Sequence, residues 1–232
     1  MKSRPDVVDF HTHILPGIDH GCDSLQTALR QLDFAKQAGV KRIILTPHFY
    51  PHADNSEEFI ERCKSAYSEL ISNLGETGEY PDIRLGCEVL ACEGINLLPQ
   101  LEMLCVSGTK TLLLELPFSD FSSRYVNDIE DLIDKGFNVI LAHAERYNAD
   151  NIKRLVEIGA KIQINTRTLA RIFIPKAVKR WIADGTVVAL GSDIHMLDKA
   201  AYNSFKRAIR RLGEKINPIA ASSDEFWDAS VK

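Results

Sequence analysis

Histidine and acidic residues are concentrated in the segment VVDFHTHILPGIDHG, which spans residues 7–21. Its apolar start is typical of a buried β-strand, in which alternate side chains project to the same face. His11 and His13 are therefore predicted to face one side, with Thr12 pointing to the other. Two imidazoles beside carboxylates suit Zn²⁺, Mn²⁺ or Fe, whereas a structural zinc site usually contains clustered thiolates. The spacing predicts part of a metal centre.

All seven histidines of the chain follow one positional rule. Each lies at the end of an apolar, β-branched run or in the loop after it, and Glu88, Glu115 and Asp193 end runs in the same way. A single such histidine is usually an ordinary core or surface residue, but the whole set on one edge favours a metal site. About ten donors are too many for one ion with about three to six ligands, so we expect two or three ions. The histidines are His11, His13, His20, His48, His52, His143 and His195.

The apolar runs predict an α/β fold with a parallel sheet, because continuous apolar character is typical of strands buried on both faces. Amphipathic helical segments separate the runs, and the first should end at Gly39. Gly136, Gly159 and Gly185 each precede a strand, where a helix-terminating glycine belongs. The predicted strands are VVDFH (7–11), KRIILTPH (41–48), IRLGCEV (83–89), TLLLELP (111–117), NVILAH (138–143), KIQIN (161–165) and VVALGSD (187–193).

Seven β-α repeats without a long linker predict a single domain over residues 1–232. We expect a distorted, TIM-like (β/α)7 barrel, with a doubly wound sheet as the alternative. In α/β barrels the active site lies at the carboxyl ends of the strands, where residues distant in sequence converge. The segment SSDEFWDASVK (222–232) is predicted to form a short helix capped by Ser223, or to mediate a contact between subunits.

Composition argues against several other classes of protein. The 232 residues carry a net charge of −4, with 45% hydrophobic and 26% charged residues, so no nucleic-acid partner is expected. The basic segment 206–215 is expected to be a solvent-exposed helix face. No run is long enough to cross a membrane, the start MKSRPDVVDF lacks an apolar leader, and the five cysteines form no CxxC pair. We therefore expect a cytoplasmic protein with reduced thiols and no membrane insertion.

Six motifs resemble, in their order along the chain, those of the polymerase and histidinol phosphatase (PHP) superfamily: DFHTHILPGIDHG, LTPH, GCE, LLELP, LAHAERY and GSDIH. Within it, HILPGID and AHAERY are most similar to the manganese-dependent protein tyrosine phosphatases of bacterial capsule and exopolysaccharide loci, the CpsB/CapC type. The similarity runs from about residue 6 to about residue 218. It implies the PHP fold, a distorted (β/α)7 barrel, which agrees with the strand count.

The resemblance also implies a single PHP metallophosphatase domain that binds two or three divalent ions, with Mn²⁺ expected and Zn²⁺ or Fe as alternatives. Arg146 in HAERY would contact the phosphate, and the expected catalytic residues are Arg146, Asp193 and His195. The implied ligands are His11, His13, Glu88 and Asp193 for the first ion, Glu115 and His143 with a bridging Glu88 for the second, and His20, His48 and His195 for the third.

Two positions depart from the pattern of the tyrosine phosphatases. These enzymes usually have an acid where this chain has His20, although the histidinol phosphatase branch often has histidine there. We therefore expect His20 to remain a ligand. They also often carry an arginine a few residues past the final Asp-x-His, where this chain offers only Lys199. An ammonium is a weaker match to a phosphate than a bidentate guanidinium, which bears on affinity and substrate choice.

Three features near the motifs have two interpretations each. Asp19 either orients a ligand imidazole, which we favour, or closes a turn before a helix at Asp23. In HFYPHADN (48–55), Phe49, Tyr50 and His52 either form an aromatic wall for the substrate or pack within their own loop. Asn165 either reaches the site or caps the next helix, and we expect the cap.

Three functions stay open on the sequence. The expected one is a protein tyrosine phosphatase that acts on the phosphotyrosine tail of a bacterial tyrosine kinase regulating capsule or exopolysaccharide synthesis. The alternative is a small-molecule phosphatase, such as histidinol-phosphate phosphatase. The third, a metal-binding module without turnover, is disfavoured by the full ligand set. A cysteine nucleophile is not expected, because the chain has no Cys-x5-Arg loop, and Cys22 is interpreted as a bystander. The oligomeric state stays open, with a homo-oligomer as one option.

Overall fold

Nine strands form one curled sheet in the computed structural model, which describes residues 6–75, 79–118 and 121–228. The strands are β1 Val8–Thr12, β2 Arg42–Leu45, β3 His48–Phe49, β4 Asp82–Leu85, β5 Glu88–Leu90, β6 Thr111–Glu115, β7 Asn138–Leu141, β8 Lys161–Asn165 and β9 Val187–Gly191. All of their pairings are parallel, and the order is β3-β5-β6-β7-β8-β9-β1-β2-β4.

Two of the predicted strands are interrupted, which is why nine strands are observed. The segment predicted at 41–48 divides into β2 and β3, and the segment predicted at 83–89 divides into β4 and β5. The two interrupted segments stay paired with each other at their breaks, because the backbone N–H of Glu88 donates to the carbonyl of Pro47. Since β9 also pairs with β1, seven strand segments complete a ring. The distorted TIM-like barrel is confirmed, and the ring excludes a doubly wound sheet.

The α-helices of the described residues pack around this ring or, for the last one, across its amino-terminal end, and none of them is long and apolar enough to cross a membrane. One predicted repeat lacks an α-helix: two short 3₁₀ turns, Ile95–Leu97 and Leu101–Leu104, connect β5 to β6. Pro99 between them cannot continue a helix. The helices are α1 Leu25–Ala38, α2 Ser56–Ser72, α3 Ser123–Asp134, α4 Ala149–Glu157, α5 Thr166–Ala170, α6 Lys176–Ala183, α7 Lys199–Leu212 and α8 Ile216–Asp228.

The apolar core has two layers, one inside the ring and one between the strands and the helices. Helix α8 closes the amino-terminal end of the barrel, where Trp227 joins the inner layer and accepts a hydrogen bond from Arg84 through its carbonyl. The predicted cap at Ser223 is wrong, because α8 begins at Ile216 and Ser223 is buried within it. Residues 229–232 of that predicted helix lie outside the described residues.

Candidate metal centre

Glu88, which begins β5 at the carboxyl-terminal rim of the barrel, lies at the centre of a cluster of histidines. Its Oε2 is 3.1 Å from His11 Nε2, 3.3 Å from His13 Nε2 and 3.0 Å from His48 Nδ1, and its Oε1 is 2.9 Å from His143 Nε2. Neither oxygen has a hydrogen-bond partner of good geometry among the described residues. The ring nitrogens of His11 and His13 also face each other at 3.0 Å. Buried donor atoms that converge without satisfying one another fit a metal ion.

The donors for the first predicted ion come together as expected. His11, His13 and Glu88 each place one donor atom within 4.8 Å of the other two. Asp193 Oδ1 approaches the same group, at 3.7 Å from His11 Nε2 and 3.5 Å from His13 Nε2. All four side chains are almost fully buried.

The donors for the second predicted ion also lie close together, and His48 joins them. Glu88 and Glu115 form a group with His48, which the resemblance had placed in the third site. The expected ligand His143 is close to the same acids, with its Nε2 2.9 Å from Glu88 Oε1 and 3.5 Å from Glu115 Oε1. This part of the rim therefore gathers two carboxylates and two imidazoles.

The third group contains His48 and His195 together with His13. His20 belongs to none of the three groups of described donors. Its ring is exposed on the same cavity, with its centroid 4.8 Å from that of His195 and 5.0 Å from that of His48. The role of His20 as a third-site ligand stays a prediction.

Asp19 holds the first loop around the imidazoles. Its Oδ2 lies 2.8 Å from His13 Nδ1 and accepts from the His48 amide at 2.9 Å, while its Oδ1 accepts from the Gly21 amide at 2.8 Å. These contacts support the favoured interpretation, in which Asp19 orients a ligand. Only glycine fits at position 21, because a Cβ there would lie 2.0 Å from the Cβ of His13. Helix α1 is capped by Ser24, so the helix start expected at Asp23 is displaced.

Charges within the cluster oppose the effect of burial. Burial alone would raise the pKa of Glu88, but the neighbouring His11 lowers it well below the usual range. Burial alone would lower the pKa of His143, but Glu115 and Glu88 raise it to about 9. His195 behaves differently, because burial and the nearby His13 lower its pKa to about 4. The pKa values of the two imidazoles are thus shifted in opposite directions within one cluster.

Arg146 and Asp193, two of the expected catalytic residues, form an ion pair at the edge of the cavity. A guanidinium nitrogen of Arg146 lies 2.5 Å from Asp193 Oδ2, and 42% of the Arg146 side chain is exposed. Asp193 has a φ of 50° and His143 a φ of 34°, left-handed values that are uncommon outside glycine and often mark functional sites. Lys199 turns away, with its ammonium over the ring of Phe34.

The cavity above the cluster has a volume of about 500 Å³ and is lined in part by Tyr50. The Tyr50 ring stacks on that of His48 at 5.5 Å and 17°, whereas the adjacent Phe49 is buried against Phe59. Tyr50 therefore faces the cavity, whereas the prediction that Phe49 contributes to an aromatic wall is wrong. His52 is exposed and lies beside Tyr50, with ring centroids 6.1 Å apart.

Sequence reasoning misjudged or missed several residues around this cavity. Asn165 does occupy the N-cap position of α5, as expected, but its side chain makes no capping hydrogen bond and instead donates to Asp193 Oδ2 at 2.7 Å. Arg167 lines the cavity and pairs with Asp198, and nothing in its local sequence marked it. Gln163 was also missed, although a polar residue within the buried run KIQIN was an available signal.

The closed parallel barrel and its rim of imidazoles and carboxylates define an α/β-barrel protein with the donor set of a metal site. Residues 7–222 match the family described as capsular polysaccharide synthesis, CpsB/CapC, and the chain belongs to this family.

Two relatives and one solved structure illustrate the similarity. The tyrosine-protein phosphatase YwqE of Bacillus subtilis is 31% identical over 180 residues, which cover 72% of this chain and 67% of the relative. The tyrosine-protein phosphatase CpsB of Streptococcus pneumoniae is 21% identical over 206 residues, or 83% of this chain and 84% of the relative. The crystal structures of YwqE and CpsB are described as metal-dependent tyrosine phosphatases, and the match has a TM-score of 0.79 at 22% identity, covering 97% of this chain and 96% of the other. The structural match supports the barrel fold.

Proposed function

We propose that the protein is a metal-dependent phosphomonoester hydrolase that dephosphorylates phosphotyrosine in proteins. The observation that carries this proposal is the convergence of four imidazoles on the unsatisfied carboxylate of Glu88, together with the exposed guanidinium of Arg146, which pairs with Asp193 of the same cluster. The family match to capsular polysaccharide synthesis favours a substrate in that process, and relatives named tyrosine-protein phosphatase favour phosphotyrosine. We infer one catalytic domain over residues 1–232, in the cytoplasm, acting on the phosphotyrosine tail of a bacterial tyrosine kinase.

The donor set of imidazoles and carboxylates without thiolates suits two or three divalent ions, which can be Mn²⁺, Zn²⁺ or Fe. Among these, the resemblance to the manganese-dependent phosphatases favours Mn²⁺. When bound, such ions supply a more acidic water and neutralise charge on the phosphoryl oxygens. His11, His13 and Asp193 would hold the first ion with Glu88. Glu115 and His143 would complete the second, and His48 and His195 would hold the third, with His20 able to join them from the cavity wall.

The remaining side chains bind and orient the substrate. Arg146 presents its guanidinium to the cavity while Asp193 fixes its position, a geometry that suits a bidentate contact with two phosphoryl oxygens. Tyr50 offers a ring face to the phenyl group of the substrate. Burial raises the pKa of the Cys22 thiol to about 12, which argues against a thiolate nucleophile. A phenolate, with a pKa of about 10, leaves with less protonation than the alkoxide of serine.

One observation favours the alternative of a small-molecule phosphatase. His20 matches the histidinol phosphatase branch, and its exposed ring lies where a small substrate would enter the cavity. The two functions share the same donor cluster and differ in what fills the cavity above it.

The test is a panel assay of the metal-loaded protein on phosphotyrosine peptides, phosphoserine peptides, histidinol phosphate and sugar phosphates. We expect rapid cleavage of phosphotyrosine peptides, slow cleavage of phosphoserine peptides, and loss of both activities with a chelator. Preference for histidinol phosphate would transfer the assignment to the alternative. Full activity in excess chelator, with no metal found by elemental analysis, would refute the metal-dependent mechanism itself.

A further inference from the structure

Strand β8 contributes none of the nine predicted ligands, yet its polar side chains lie among them. Gln163 is 0% exposed and Asn165 is 6% exposed, both on the face of β8 that points to the cluster. Burying an amide is costly unless its polar atoms find partners. In this barrel, most of those partners are predicted metal ligands.

The orientation of the Gln163 amide follows from one contact. The backbone N–H of His143 donates to Gln163 Oε1 at 2.7 Å, and because a backbone N–H can only donate, this atom must be the oxygen. The same oxygen lies 3.1 Å from His11 Nδ1. His11 must therefore carry its proton on Nδ1 to make this bond, which leaves the lone pair of Nε2 facing Glu88 at 3.1 Å.

The other end of the amide orients a second residue. Gln163 Nε2 donates to Asn165 Oδ1 at 2.9 Å, so the nitrogen of Asn165 is the atom that donates to Asp193 Oδ2 at 2.7 Å. Arg146 binds the same carboxylate oxygen. With Oδ2 occupied by two donors, Asp193 Oδ1 is left to face His11 and His13.

The neighbouring strand, β9, leaves room for the side chains of Gln163 and His11 because position 191 is a glycine. A Cβ at Gly191 of β9 would lie 2.6 Å from Gln163 Nε2 and 2.5 Å from the Cβ of His11. Real Cβ atoms do not approach so closely, so a larger residue at 191 would displace Gln163 or His11.

We propose that Gln163 and Asn165 are positioning residues that set the geometry of three metal ligands. Gln163 selects the tautomer of His11 and anchors the main chain of His143, and through Asn165 it turns one oxygen of Asp193 toward the cluster. Neither residue is required to touch an ion or the substrate. The inference rests on the proposed metal centre and is independent of which phosphate ester is cleaved.

The experiment compares metal affinity, by competition with a chelator, in the full chain and in the variants Gln163→Met and Ile164→Ala. Methionine has a similar shape to glutamine but cannot make the hydrogen bonds, and loss of such outer contacts typically weakens metal binding about 10–100-fold. Ile164 is also fully buried on β8 but packs toward the helices, so Ile164→Ala should lower the melting temperature without changing metal affinity. Asn165→Leu should weaken binding less than Gln163→Met, because Asp193 is then the one predicted ligand that loses a contact, whereas His11 and His143 keep theirs to Gln163 Oε1.

Unchanged metal affinity in Gln163→Met, or an equal loss in Ile164→Ala, would overturn the proposal. If Gln163→Met does not fold, the ¹⁵N resonances of labelled histidines in the zinc-loaded wild type decide the matter. A proton on Nδ1 of His11 is expected, and a proton on its Nε2 would contradict the proposal. Failure of the wild type to bind metal at all would instead count against the proposed function.

Discussion

The contacts of Asp19 lead to a graded prediction, in which Asp19→Ala weakens metal binding more than Asp19→Asn. Asp19 accepts three hydrogen bonds: Oδ2 from His13 and from the His48 amide, and Oδ1 from the Gly21 amide. An asparagine can keep both Oδ2 bonds if its nitrogen replaces Oδ1. The opposite orientation would point N–H groups at the His48 amide and at His13.

The size of the expected loss follows from the number of hydrogen-bond donors that each variant leaves without an acceptor. In the favourable orientation, Asp19→Asn leaves only the Gly21 amide without an acceptor, which costs about 1–3 kcal/mol of folding free energy while His13 stays oriented. Asp19→Ala removes all three acceptors and frees the His13 ring to rotate or change tautomer. The expected loss of metal affinity for the alanine variant is about 10–100-fold, or roughly 1.4–2.7 kcal/mol, with less than tenfold for the asparagine variant.

The assay is chelator competition with Mn²⁺ and Zn²⁺, followed by hydrolysis of an aryl phosphate at saturating metal. Asp23→Asn is the matched control, because Asp23 is an exposed acid of the same loop that accepts from Ser24 and Thr27, neither of which is a predicted ligand. Wild-type affinity in Asp19→Ala would show that His13 needs no fixed partner, and the argument would be wrong. A larger loss in Asp19→Asn than in Asp19→Ala would show that asparagine adopts the unfavourable orientation.

Three further predictions concern single side chains. Arg146→Lys should keep its metal content but lose about 10–100-fold in kcat/KM, since a bidentate charged contact is replaced by a point charge; steady-state kinetics and elemental analysis check this. His20→Asp should keep much of the third-site occupancy and rate that His20→Ala loses, as measured by metal titration, and equal behaviour of the two variants would argue against ligation by His20. Burial raises the pKa of Asp9 from 3.8 to about 6, so the folded chain binds a proton more tightly than the unfolded chain between these values. The contribution of Asp9 to the free energy of unfolding should therefore fall by about 3 kcal/mol as pH rises through that window, so the difference in unfolding free energy between the wild type and Asp9→Asn, measured by urea unfolding of metal-free protein, should change by that amount.

The positions of the strands, and hence of the ligands, could be predicted because buried parallel strands have a strong apolar signature and their ends share one edge. The breaks at residues 46–47 and 86–87 could not, because a strand ends where pairing with its neighbour ends, and that is a tertiary property. The cap at Ser223 is wrong because α8 already begins at Ile216, with Pro218 in its first turn, where proline is tolerated.

The side chains around the ligands were harder to predict than the ligands themselves. Asn165 was expected to cap a helix, which is a short-range role that its residue type favours. Its actual partner, Asp193, lies 28 residues away and becomes a neighbour only when β8 and β9 pair. Metal ligands have few possible residue types, whereas an amide that orients them resembles any buried polar residue. The sequence therefore indicates which residues bind the metal better than it indicates which residues orient them.

The pairing of β1 with β9 has a consequence for the order in which the centre can form during synthesis. His11 and His13 leave the ribosome early, whereas Asp193 and His195 emerge after β9, which closes the ring against β1. A nascent chain that lacks β9 also lacks Asp193 and His195, so it holds at most part of the donor set around Glu88. Metal capture is thereby coupled to completion of the barrel, and a product truncated before residue 193 should neither retain the ion nor hydrolyse phosphate esters.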